Sequence, residues 1–256
     1  MTIILFFILG AVIGSFMNVC IYRLPRSKSV VRPRSHCIYC QKTIPWYDNI
    51  PILSFLALRG KCRFCGAKIS ARYITVEILA GLISALLFAR FRLSAEFFIL
   101  WYLSGALIVA SFIDLEFQEI PDEITIPGIL VGLFAAALYP PLMGEAKFLP
   151  AVFQSFLGVI AGGGSIYLIG FIGEFIFKKE AMGGGDVKLL AMIGAFLGWK
   201  LTVFTFFLAP FFGSAIGILL KIKEGRDIIP YGPHLSLAAI VAVFYGETIL
   251  KKLFLF

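Results

Sequence analysis

The chain has 256 residues, of which 60% are hydrophobic and 15% charged, with a formal net charge of +8. Soluble domains carry about 25% charged residues, so this composition excludes an ordinary water-soluble enzyme or binding module. Nucleic acid is set aside as a partner of the basic charge, because no recognition helix or RNA-binding signature accompanies it.

The apolar residues fall in blocks, and about 20 such residues make a helix that crosses a bilayer. Blocks are read at 2–22, 73–90, 95–113, 123–140, 150–176, 186–199, 201–221 and 234–250. The expected fold is all-α, a polytopic membrane helix bundle of about eight transmembrane helices. The 186–199 block is short enough for a half-helix or a tilted one. The first block has no basic segment before it, and Gly14-Ser15-Phe16 is not a small-x-small cleavage site, so it is expected to be a permanent anchor. Gly-x-x-x-Gly pairs at Gly10/Gly14, Gly128/Gly132, Gly158/Gly162, Gly194/Gly198 and Gly213/Gly217 predict close helix packing and no particular chemistry.

After the first block comes a loop, 23–72, with eleven basic residues against the single acid Asp48. The positive-inside rule places this loop in the cytoplasm and the N-terminus outside. Counting spans then puts the 114–122 turn and the 178–188 and 221–226 segments on the same cytoplasmic face. The loop's charge is also a surface for anionic membrane lipid. It holds Cys37-Ile38-Tyr39-Cys40 and Cys62-Arg63-Phe64-Cys65, two C-x-x-C pairs 21 residues apart. That spacing predicts one tetrahedral zinc on Cys37, Cys40, Cys62 and Cys65, with two redox-active pairs as the alternative. A reducing cytoplasm disfavours disulfides, and four thiolates fill the metal's coordination sphere, so the zinc is expected to be structural. His36 is read as solvated or as a spare ligand, and Cys20 as a small membrane-buried side chain.

Asp114 follows Ala110-Ser111-Phe112-Ile113 and sits deepest among the acids of its turn, ahead of Glu116, Glu119 and Asp122. Asp122 is read as the N-cap of a helix starting at Glu123. Further on, Gly183-Gly184-Gly185-Asp186-Val187-Lys188 sets an aspartate behind three glycines, which allow close backbone approach and unusual dihedrals. Asp186 has an N-cap reading too, for a helix from Val187. Lys188 has three candidate partners: Asp186, a substrate or headgroup water. Ionisable groups at membrane depth are costly and are usually put to use. Two carboxylates at one membrane face, one protonated and one ionised, are the minimum equipment of an aspartic protease. The rivals are a transporter, in which Asp114 and Asp186 bind a cation or relay protons, and a zinc-knuckle adaptor without catalysis. No inverted repeat or paired broken helix supports the transporter. His234, in Tyr231-Gly232-Pro233-His234, is read as a turn residue at the membrane edge that has the option of lining the site.

Taken together these motifs resemble the bacterial type IV prepilin peptidases, within the wider group of G-x-G-D membrane aspartic proteases. The resemblance covers nearly the whole chain. It runs through Gly14-Ser15-Phe16-Met17-Asn18-Val19, Arg23-Leu24-Pro25, the cysteine pairs with Asn49-Ile50-Pro51 and Leu58-Arg59-Gly60 between them, and Ser70-Ala71-Arg72-Tyr73 with Glu77. It ends with Asp114, Ile120-Pro121-Asp122, Thr125 and Gly183-Gly184-Gly185-Asp186-Val187-Lys188-Leu189. The resemblance implies Asp114 and Asp186 as the catalytic pair, with Gly183, Gly184, Gly185, Lys188 and Asp122 in support. It implies removal of the leader from type IV prepilins or type II secretion pseudopilins at the cytoplasmic face of the bacterial inner membrane. It also implies methylation of the new N-terminus with S-adenosylmethionine, an activity associated with the cytoplasmic loop. Gly60, Arg72 and Glu77 are candidate contributors to the methyl-donor region by position, or else pack and anchor the loop. The domains expected are a first helix at 1–22, the zinc loop at 23–72 and a membrane-embedded aspartic peptidase bundle at 73–256. Which pilin is cut, and the oligomeric state, are not readable from the residues.

Overall fold

The computed structural model describes every residue except 179–182, 225–229 and 255–256. Among the described residues there is no strand, only isolated β-bridges between His36 and Thr43 and between Lys61 and Lys68. Helices dominate because a backbone in hydrocarbon must satisfy its hydrogen bonds within the segment. In chain order they are α1 (Thr2–Arg23), the short α2 (Leu53–Ala57), α3 (Ala71–Phe91), α4 (Ala95–Phe117), α5 (Asp122–Leu138), α6 (Phe148–Phe177), α7 (Gly184–Glu224), α8 (Gly232–Val241) and α9 (Glu247–Phe254), with a π-helical turn at Ala242–Gly246.

Among the described residues, six stretches are long and apolar enough to cross a membrane: Thr2–Arg26, Ala71–Phe91, Ala95–Phe117, Phe148–Ile176, Gly184–Ala215 and Gly232–Leu253. All eight apolar blocks are helical, and the difference in count has two causes. The 123–140 block is α5, a helix of 17 residues. The 186–199 and 201–221 blocks join in α7, a 41-residue stretch broken at Gly198 (φ 70°, ψ 170°). Glycine alone adopts such a backbone readily, so the chain changes direction there within one helical stretch, two residues before the Lys200 that separates the two blocks. The expected common face of the 178–188 and 221–226 segments rests partly on residues 179–182 and 225–226, which lie outside the described residues.

The chain divides into two compact units, Met1–Trp101 and Tyr102–Phe256. In the first, α1 packs against α3 through the expected small residues. A Cβ on Gly10 would stand 2.5 Å from the Ala80 carbonyl oxygen, and one on Gly14 would stand 2.9 Å from the Glu77 Cα. Phe6 stacks on Phe88 with ring centroids 4.0 Å apart, and Phe97 meets Phe6 edge-on at 5.2 Å. The loop between the helices belongs to this unit. The Ser70 hydroxyl ends it by accepting the Arg72 N–H at 3.2 Å, an N-cap that starts α3.

In the second unit α6, of 30 residues, lies along α7 so closely that Gly158 and Gly194 meet backbone to backbone. A Cβ on either would overlap the other's carbonyl oxygen. Its other side carries exposed Phe153, Phe156, Ile160, Tyr167 and Phe171, as expected of a helix solvated by lipid. The fully buried core includes Leu107, Ile113, Ile166, Leu189, Met192, Ile193 and Phe196.

Candidate functional site

Asp114 lies one turn before the end of α4, with its carboxylate turned inward. The residue is only 6% exposed, in keeping with its expected place as the deepest acid of its turn. Its Oδ2 accepts the Gly232 N–H at 2.8 Å, at the start of α8. The first N–H groups of a helix have no partner within it, so this carboxylate caps α8 from outside. Gly232 has to be small: a Cβ there would stand 2.8 Å from Asp114 Oδ2 and 3.1 Å from Ile120 Cδ1.

Asp186 lies in the first turn of α7, which begins at Gly184 rather than at Val187 as the N-cap reading required. Its N–H donates to the Gly183 carbonyl at 3.1 Å. Asp186 is partly buried and close enough to Asp114 for the two charges to act on each other. Of the three glycines, Gly185 is the one pressed on a neighbour, since a Cβ there would stand 3.0 Å from Ile120 Cβ. None of the three has a positive φ, so the unusual dihedrals expected from the glycine run are absent and close approach alone explains Gly185.

Asp122 begins α5, with Pro121 in the capping position, and it is not the N-cap. Its Oδ1 accepts from Lys188 Nζ at 2.5 Å, so the partner of Lys188 is none of the three expected from the sequence. Both side chains are about half exposed, so the pair ties the start of α5 to that of α7 and adds about 1 kcal/mol or less. Tyr231 was not singled out from the sequence. Burial, and then the Asp186 carboxylate, push its phenol up to about 12, so it stands near Asp186 as a neutral hydroxyl. Its one signal was position, directly before Gly232. His234 is 5% exposed and its ring packs 3.5 Å from a Cβ built on Gly213, so it is a buried helix residue and not a membrane-edge turn.

In the first unit the four loop cysteines converge, with all four sulfurs within 4.8 Å of one another. Cys37 and Cys65 sulfurs are 3.8 Å apart, the edge that a tetrahedron of Zn–S bonds near 2.3 Å requires. The two knuckles have the same backbone. Gln41 N–H donates to Cys37 O and Cys37 N–H to Lys42 O, while Gly66 N–H donates to Cys62 O and Cys62 N–H to Ala67 O. Gln41 (φ 58°) and Gly66 (φ 70°) occupy the equivalent left-handed position. Backbone N–H groups of Cys65 and Phe64 point at the Cys62 sulfur and hold that thiol down at about 7. The cluster therefore offers one metal ion four sulfur ligands at tetrahedral spacing. The Asp48 carboxylate accepts two hydrogen bonds of 2.6 Å from Arg63 and pins the Trp46–Asn49 turn to the second knuckle.

Beside the cluster is a cavity of about 520 Å³, walled by α1, α3 and the loop. Of the three residues considered for the methyl-donor region, Glu77 lines it and Gly60 and Arg72 do not. Glu77 is 7% exposed and accepts the Ile52 N–H at 2.7 Å. Gly60 (φ 66°) turns the chain against the Phe55 ring, and the Arg72 guanidinium lies over Tyr73 at 4.8 Å.

Two family profiles match the chain. The Bacterial Peptidase A24 N-terminal domain covers residues 8–91, and the Type IV leader peptidase family covers residues 101–218. A Prepilin leader peptidase/N-methyltransferase of Myxococcus xanthus is 40% identical over 220 residues, 86% of this chain and 63% of the relative. Another from Pseudomonas putida is 32% identical over 94% of this chain and 90% of the relative. A Type 4 prepilin-like proteins leader peptide-processing enzyme of Escherichia coli is 36% identical over 92% of this chain and 91% of the relative. No solved structure matches.

Proposed function

Because the chain belongs to the type IV leader peptidase family, we propose that Asp114 and Asp186 act together as an aspartic dyad that removes the leader from type IV prepilins or type II secretion pseudopilins. The protein is an enzyme and a multi-pass inner-membrane protein, a leader peptidase that also N-methylates its product. The observation that carries the dyad is the convergence of two carboxylates from separate helices, with Asp114 fixed by the Gly232 N–H.

In the mechanism one carboxylate is ionised and takes a proton from the attacking water. The other is protonated and donates to the carbonyl oxygen. When the tetrahedral species collapses, the C–N bond breaks, the amine leaves with the proton that the first carboxylate took, and one diol hydroxyl returns a proton to the second carboxylate as the new carboxyl group forms. The Gly232 N–H holds Asp114 in one rotamer throughout. Gly183, Gly184 and Gly185 leave the backbone beside Asp186 free of side chains. The Asp122–Lys188 pair fixes the first turns of α5 and α7 on either side of it.

Cys37, Cys40, Cys62 and Cys65 hold one zinc as a structural ion. Zinc suits four thiolates at these separations, and a loop too small for its own core gains a fold from it. The first-unit cavity is of ligand size and offers Tyr22 and Tyr73 beside the Glu77 carboxylate, so its residues fit S-adenosylmethionine. When bound, that cofactor supplies the methyl group. Glu77 sets a carboxylate on the cavity wall, while Gly60 and Arg72 shape the loop and the start of α3 around the cavity. We place cleavage in the 73–256 bundle, methylation in the 23–72 region with its flanking helices, the N-terminus outside and the dyad at the cytoplasmic face.

Mass spectrometry of a prepilin's N-terminus after co-expression tests this. Wild type should remove the leader and add one methyl group. Asp114→Asn and Asp186→Asn should each reduce cleavage by at least about a hundredfold, the usual contribution of acid–base catalysis. A single Asn variant that cuts at the wild-type rate would end the dyad assignment.

A further inference from the structure

The cavity beside the cysteine cluster holds two acceptors that the fold leaves partly unused. Asn18 is 1% exposed, and its amide nitrogen donates to both the Gly14 carbonyl (3.3 Å) and the Tyr73 carbonyl (3.0 Å). Two carbonyl partners fix the orientation of the amide, because a flip would set oxygen against oxygen. Asn18 Oδ1 is then buried with no donor, in a side chain on the cavity wall. Glu77, also on that wall, accepts from the Ile52 N–H and from the Ser15 hydroxyl. No cation pairs with it among the described residues. Asp48, by contrast, is satisfied by Arg63, and Arg23 is satisfied by the Ser29 and Pro33 carbonyls.

A buried carboxylate beside an orphaned carbonyl oxygen wants an occupant with several N–H groups and a positive charge. The α-ammonium of S-adenosylmethionine stands beside a carboxylate that Glu77 would repel, whereas the N-terminal ammonium of a peptide stands beside a neutral carbonyl. Asn18 and Glu77 also stand on α1 and α3, two helices of membrane length, rather than on the loop. The amine that reaches them most directly is one joined to an apolar, membrane-embedded segment. Building on the function proposed above, we infer that Asn18 and Glu77 bind the free α-amine of the processed pilin and hold it for methylation. In that reaction the bound ammonium first gives one proton to solvent, the freed nitrogen lone pair then forms the N–CH3 bond as the donor's S–CH3 bond breaks, and the product is a methylammonium and a neutral thioether. Both residues are binding residues for the amine.

The test uses the full chain, purified in detergent with its metal. Binding is measured by calorimetry for a pilin peptide beginning with a free-amine phenylalanine, for its N-acetylated form and for S-adenosylmethionine alone. Wild type should bind the free-amine peptide at least about tenfold more tightly than the acetylated one, the usual worth of a charge-assisted hydrogen bond. Glu77→Gln, which keeps an acceptor for the Ile52 N–H, and Asn18→Ala should each remove most of that preference. Metal content and helical circular dichroism report whether the variants fold. Equal binding of the two peptides by wild type overturns the inference. So does a variant that loses S-adenosylmethionine binding but keeps the peptide preference, since the methyl donor would then be the occupant. Leader cleavage by the same wild-type sample separates the two claims: absence of cleavage counts against the proposed function, and cleavage without amine preference counts against this site alone.

Discussion

Asp114 was legible in the sequence as a costly acid at membrane depth, but its partner was not. The Gly232 N–H lies 118 residues away, and nothing in the local pattern links the two. Tyr231 escaped notice for the same reason, since its proximity to Asp186 exists only in three dimensions. The Asp122–Lys188 pair shows how local rules mislead here: Asp122 has the composition of an N-cap and spends its carboxylate on a distant lysine instead. Asp48 gives a residue-scale prediction. The Arg63 hydrogen bonds hold its carboxyl below 3.8. The pair's stabilisation is therefore complete above the ordinary carboxylate value and fades as pH falls through the lower folded one. NMR titration of carboxyl-labelled protein should find the Asp48 midpoint below 3.8, and Arg63→Ala should return it to about that value. An unchanged midpoint in the variant would remove Arg63 as the cause.

The cysteine loop was the most readable element, because two C-x-x-C pairs leave few alternatives and each knuckle closes through short-range hydrogen bonds. Helix existence was likewise plain from block hydropathy. The break in α7 was legible as well, because Lys200, two residues past Gly198, divides the 186–199 block from the 201–221 block. The glycine pairs announced close packing, and the structure identifies which partner each one serves. Gly194 faces Gly158 so tightly that any side chain must drive α6 and α7 apart. Gly194→Val should cost about 1–3 kcal/mol, the usual range for overpacking, read as a lower unfolding midpoint in detergent. A variant as stable as wild type would show that the two helices separate freely.

At the scale of the molecule, the two family profiles fall one on each compact unit, 8–91 within Met1–Trp101 and 101–218 almost wholly within Tyr102–Phe256. That division was not visible in composition, because α1 and α3 read as spans like any other. Their packing on each other depends on contacts at Gly10 and Gly14. The loop's eleven basic residues carry the orientation proposal. A phosphatase reporter that works only outside the cytoplasm, inserted within 24–70, should be inactive, and the same reporter placed before residue 2 should be active. The reverse pattern would invert the topology and move the dyad to the opposite face.

The length of α6 brings the bilayer itself into the account. Thirty residues at 1.5 Å each make a rod of about 45 Å, against a hydrocarbon layer of about 30 Å. Such a rod must lean or carry its end turns into the headgroups, at a modest cost for each ångström of mismatch. Because α6 is braced along α7 through Gly158 and Gly194, a thinner or thicker bilayer that re-tilts one helix re-tilts both. Asp186 rides on the first turn of α7, so membrane thickness becomes a physical setting for the depth at which this carboxylate meets its substrate.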